Sequence, residues 1–136
     1  MQTPDIPGAD SVVSWFGSWP TFHDAEVLRL QLNRKGQSWI KVYTWNMSSR
    51  TYEKDSKQYF ILEKHAVVTF LLEGIVELEL HDFSSQNVVF GLNIERHGGS
   101  FLMTLEPSYG LSGTILASHI AVQVTPGEVK QDQDPL

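Results

Sequence analysis

The chain has 136 residues, no cysteine, 19% charged residues and a formal net charge of −6. That length holds one domain with its own core and is short for two. The missing cysteine excludes disulfides, thiolate-bound zinc, iron–sulfur clusters and a cysteine nucleophile. Acidity opposes binding to nucleic-acid phosphates, and no apolar run approaches the ~18 residues that cross a bilayer, so neither nucleic acid nor membrane is expected as a partner.

Residues 1 to 9 contain Pro4, Pro7 and Gly8 and read as an irregular arm. In ADSVVSWFG, Asp10 is the expected cap of a helix of about two turns, with Gly17 as its terminator. SWPTFHD follows as a turn into the first strand, since Pro20 biases Trp19 toward extended geometry. The opening MQTPDIPGAD has neither the basic nor the apolar region of a secretory signal, which points to the cytoplasm.

From Glu26 to Val124 the dominant period is two, the mark of half-buried strands. EVLRLQL puts Leu28, Leu30 and Leu32 on one face. SWIKVYTWNM sets Trp39, Lys41, Tyr43 and Trp45 against Ile40, Val42 and Thr44, and MSSRTYEKDSK reads as a polar connection. KHAVVTFLLE reads as a central strand that turns at Glu73-Gly74 into GIVELELHDF, where Val76, Leu78 and Leu80 face inward and Glu77, Glu79 and His81 outward. In NVVFGLNIERH, Val88, Phe90, Leu92 and Ile94 share a face. Keeping the apolar sets together pairs Leu80 with Phe90, Leu78 with Leu92 and Val76 with Ile94, around a loop at Ser84, Ser85 and Gln86. This register places Asn93 opposite Glu77, with Glu95 further along the same face. Gly98-Gly99 is a tight turn, and the last strand carries Leu116, Ile120, Val122 and Val124 on one side.

The expected fold is mainly β (α+β): a curled antiparallel sheet of about seven strands with one short N-terminal helix. Residues 1–127 form a single β-rich domain and 128–136 a flexible polar C-terminal tail.

Five histidines are scattered over five segments with no metal-binding spacing, so no metal and no cofactor are expected. No G-x-S-x-G or phosphate loop occurs, and the metal-dependent hydrolases built on a histidine–aspartate doublet are helical, whereas strands follow His23-Asp24 here. The expected role of WPTFHDAE is structural. Trp19 and Phe22 bury beside the helix, while His23 and Asp24 hydrogen-bond backbone groups that the turn leaves unpaired. The alternative is a small ligand-binding or enzymatic β-sheet domain with its site around His23, Asp24 and the Trp39, Tyr43, Trp45 stripe. Glu77, Glu79 and Glu95 are the candidate contacts for a basic partner.

The stretch WFGSWPTFHDAEVLRLQLNR resembles the N-terminal signature of bacterial polymorphic-toxin immunity proteins of the immunity protein 50 family, through Trp19, Pro20, Phe22, His23, Asp24, Ala25 and Glu26. The resemblance implies a non-enzymatic inhibitor that binds a cognate toxin protein and protects the cell that makes it or its kin. It brings no catalytic residue.

Overall fold

The computed structural model describes residues 2–129; most of the expected polar tail, from residue 130 on, lies outside these. One helix, α1 (Ala9–Phe16), precedes six strands: β1 (Glu26–Gln31), β2 (Gln37–Lys54), β3 (Lys57–His81), β4 (Val88–His97), β5 (Ser100–Tyr109) and β6 (Ser112–Pro126). All strand pairs are antiparallel, and the sheet closes into a barrel in the order β1-β2-β3-β6-β5-β4. Closure rests on the bridge Glu26↔Val88 between β1 and β4, supported by backbone bonds from Asp24 N–H to Val89 O, Val89 N–H to Ala25 O and Val27 N–H to Asn87 O.

The strand count is six rather than seven because Glu73-Gly74 does not end a strand. β3 runs through it for 25 residues. A straight strand of that length would extend about 80 Å, far beyond a barrel of this size, so β3 must bend. It does so at Gly74, which takes φ 64, and at a bulge between Ile75 and Glu77. The bend presses against β6, where Ser118 Oγ donates to Glu73 O at 3.0 Å, and a Cβ on Gly74 would collide with that hydroxyl.

The expected polar connection after Met47 is also strand. β2 and β3 continue past the barrel as a two-stranded arm, paired from Met47↔Leu62 to Lys54↔Lys57 and closed by Asp55 and Ser56. Both turn residues have positive φ, 54 and 62, the signature of the two-residue turn whose twist matches its strands.

Inside the barrel the alternation of β2 reads directly. Ile40, Val42 and Thr44 are buried, while Trp39, Lys41, Tyr43 and Trp45 lie half-buried on the outer face. Phe70, Leu72, Leu92, Met103, Ile115 and Ile120 complete a packed interior.

Helix α1 lies against β6, and its amphipathic face buries Ala9, Val12 and Phe16. Gly17 ends it in a left-handed turn as expected, its N–H donating to Val13 O at 2.7 Å. Asp10 is not the cap; it sits in the first turn, and Gly8 occupies the cap position. Glycine is needed there because φ is 91 and a Cβ would strike Val122 O, whose own N–H donates to Pro7 O.

The predicted β3–β4 hairpin is absent. Leu78 pairs with Ile115 of β6, and Leu92 with Leu105 of β5. Bulges explain the misread faces, since one extra residue flips every later side chain. In β1 the extra residue is Leu28, so Val27 and Leu30 share the inner face. Shifts around Val89 turn Val89 inward and leave Phe90 exposed. Val76 is the extra residue in β3 and is exposed. On β6, Ile115 and Ala117 are buried together with Ile120 and Val122, so Leu116, half-buried between Ile115 and Ala117, does not share the inner face expected for it.

Candidate interaction surface

Charge is unevenly placed along the chain and therefore around the barrel. Residues 73–111 hold Glu73, Glu77, Glu79, Asp82, Glu95 and Glu106 against Arg96, a net −5. Residues 29–64 carry Arg29, Arg34, Lys35, Lys41, Arg50, Lys54, Lys57 and Lys64 against Glu53, Asp55 and Glu63, a net +5. The last stretch of β3, with β4 and β5, forms an acidic side; β2 and the arm are basic.

Glu77, Glu79 and Glu95 are all exposed, as expected from the alternation. Their arrangement differs from the expected one. Glu77 pairs with Leu116, Leu116 with Leu102, and Leu102 with Glu95, so the two glutamates stand at the ends of one outward row that crosses four strands. Asn93 belongs to the neighbouring row, Glu79–Thr114–Thr104–Asn93. His81 Nε2 lies 3.3 Å from Glu79 Oε1 on the same face.

The WPTFHD turn seals one side of the core. Trp19 and Phe22 are buried, with ring centroids 5.7 Å apart and both near Phe70, at 6.4 and 5.8 Å. Phe22 holds φ 60, a conformation that costs a side-chain-bearing residue about 1–2 kcal/mol. Full burial of a phenylalanine returns about 1.5–3 kcal/mol, so packing keeps the ring in place. His23 is exposed and its Nδ1 lies 3.2 Å from Phe90 O, a side-chain contact to backbone of the expected kind. Asp24 works differently from the expectation. Its N–H donates to Val89 O at 2.9 Å, helping to close β1 on β4, but its carboxylate faces His23 Nε2 at 3.6 Å and makes no backbone bond among the described residues. What the turn uses is its left-handed backbone, φ 64.

The alternative ligand site is only partly assembled. Trp19, Pro20, His23, Asp24 and Trp45 line a cleft of about 230 Å³, below the roughly 300 Å³ at which small-molecule pockets begin. Tyr43 turns instead to His65, donating or accepting at 2.7 Å between Oη and Nδ1 with the rings stacked, and His65 Nε2 lies 3.6 Å from Glu128. Burial of the Tyr43 phenol raises its pKa above the usual 10.0; the Glu128 and Glu26 carboxylates add to this, opposed by a hydrogen bond from the Val129 backbone. Glu128, expected to begin a free tail, is thus placed beside His65, and Gly127 N–H donates to His65 O. Among the described residues no group of three His, Cys, Asp or Glu side chains is placed to hold a metal ion.

Two features went unread in the sequence. Met47, Tyr52, Tyr59, Phe60 and Leu62 of the arm are exposed and border a groove of about 770 Å³ that reaches His65 and Glu128. No alternation marks such a segment, because neither of its faces is covered. The other is Asn87, buried in the β3–β4 connection. Its Oδ1 accepts from Ser84 N–H and Leu111 N–H, and its Nδ2 donates to Ser84 O. An asparagine between Gln86 and Val88 carries no local sign of that role.

Comparison of the chain with protein-family models, curated proteins and solved structures found no match. No helix is long and apolar enough to cross a membrane among the described residues.

Proposed function

We propose that this protein is a cytoplasmic inhibitor that binds a cognate bacterial toxin protein and neutralises it without catalysis. The observation that carries the reading is the acidic side of the barrel, where Glu77, Glu79 and Glu95 project outward from a rigid sheet. A toxin that cleaves nucleic acid needs a basic cleft, and clustered carboxylates on a fixed surface steer and orient such a partner. The resemblance of WPTFHDAE to immunity proteins supports the same class, and in this chain Trp19, Phe22 and Ala25 pack in the core while the Asp24 and Ala25 backbones bond to Val89.

The test is protection of a susceptible bacterial host from the toxin domain encoded next to this gene. Protection by the parent chain is expected, with slower association and weaker protection for the Glu77→Lys, Glu79→Lys double variant at matched expression and melting temperature. Failure of the parent to bind or protect overturns the reading. Full protection by the double variant removes these glutamates from the interface.

A further inference from the structure

The last segment of β3, Val76–His81, is a sheet edge. On one side it pairs with β6, from Glu77↔Leu116 to His81↔Ser112. On the other side β2 begins only at Gln37, opposite Glu73, so among the described residues no strand lies beside Val76–His81. The side chains agree that nothing covers it. Val76 is 62% and Leu78 43% exposed, Phe83 just beyond is exposed, and Glu77 and Glu79 stand in solvent.

An edge of this kind presents a row of unpaired backbone donors and acceptors, which another extended chain can satisfy. Its side chains limit which chain that is. Glu77, Glu79 and His81 alternate on the outer face, while Leu80 packs against the core and Leu78, paired with buried Ile115 but 43% exposed, lies on the same inner side. Opposite charges on directly paired strands stabilise and like charges repel. A strand docking here therefore carries Lys or Arg at alternate positions and apolar residues between them. His81, the titratable neighbour on this face, already leans on Glu79 and leaves Glu77 as the less engaged carboxylate.

We infer that Val76–His81 is the docking edge for an extended, alternately basic and apolar segment of the partner, which adds a strand to the barrel beside β3. This rests on the reading of the protein as a toxin-binding inhibitor and specifies how the acidic side engages the toxin.

The probe is a nine-residue peptide alternating lysine with valine, added to the full-length isotope-labelled protein and followed by amide shifts and hydrogen exchange. Slowed exchange at alternate amides within 76–81 is expected, with each of Glu77→Lys and Glu79→Lys weakening binding by up to about fivefold. The same peptide N-methylated at alternate residues keeps its charge but loses the backbone donors, so it should not bind. Equal binding of the methylated peptide, or shifts spread over the acidic side without protection at 76–81, overturns the strand-addition mode. The parent chain's protection against the toxin is measured separately: protection with a silent edge refutes this inference alone, whereas loss of toxin binding refutes the reading beneath it.

Discussion

Glu77 on β3 and Glu95 on β4 occupy the two ends of one outward row, separated by Leu116 and Leu102. With about 4.8 Å between neighbouring strands, their backbones lie about 14 Å apart, beyond the Debye length of about 8 Å at physiological salt. On the proposed reading they are two independent handles for a partner. Charge reversal at each should slow toxin association additively, and the Glu77→Lys, Glu95→Lys double variant should show no coupling beyond about 0.5 kcal/mol. Association rates of the four proteins at two salt concentrations decide this. Strong coupling would place one toxin group against both carboxylates, which their spacing does not allow.

Asp24 serves the turn through its backbone, so substitutions should sort by tolerance of left-handed geometry rather than by hydrogen-bonding capacity. Asp24→Gly and Asp24→Asn are expected to melt close to the parent, while Asp24→Ala loses about 1 kcal/mol. If asparagine and glycine both destabilise as much as alanine, the exposed carboxylate has a role that its contact with His23 does not account for.

Asn87 has a heavier structural duty. Replacing it with alanine strands two backbone N–H groups and a carbonyl around a buried site, at a typical cost of about 1–3 kcal/mol for each group left unpaired. A melting temperature depressed by more than that of Asp24→Ala is the expected result. Asn87→Asp keeps the acceptor for Ser84 and Leu111 and should fall between them.

What could be read from the sequence is what period two and local chemistry encode. Ile40, Val42 and Thr44 announced their face, Trp19 and Phe22 their burial, and Gly98 its tight turn between His97 and Ser100. What could not be read depends on single residues inserted without compositional mark. The bulges at Leu28, Val76 and around Val89 invert the pattern behind them, and a parity argument that spans a bulge pairs the wrong strands. That is how the β3–β4 hairpin arose, although Glu77, Glu79 and Glu95 still faced solvent. The partners of β3 lie far along the chain in β6, and nothing local in VELELH names them.

Tyr43 carries a pH dependence whose sign follows from its raised pKa. The folded protein holds the phenolic proton more tightly than the unfolded chain does, where the pKa is near 10. The stabilising contribution is thus fully present below pH ~10 and disappears as pH rises through the folded-state value. The useful quantity is the difference between parent and Tyr43→Phe. The parent's stability advantage should be constant up to pH ~9 and shrink above pH ~10; parallel melting curves to pH 11.5 would refute the assignment.

The arm can be removed as a unit. From Met47↔Leu62 outward, β2 and β3 pair only with each other among the described residues, and a two-stranded ribbon is marginal alone in water. Its exposed Tyr52 and Tyr59 stack with ring centroids 5.5 Å apart within the ribbon, and Arg50 meets Glu63, just below Leu62, at 3.3 Å, an exposed contact between the ribbon and its base. Joining Met47 to Leu62 through Asn-Gly should leave the barrel's melting temperature within a few degrees of the parent, because the interior around Phe70 and Ile40 is untouched. Ser56→Gly in the intact chain should do the reverse and firm the arm by about 1 kcal/mol, since it relieves a left-handed residue in the turn. The two variants together separate fold from binding. A shortened chain that melts normally but fails to protect against the toxin would locate apolar anchoring on Met47, Tyr59, Phe60 and Leu62, complementing the acidic side. A shortened chain that loses 10 °C or more would mean that the groove by His65 and Glu128 is part of the barrel's own packing.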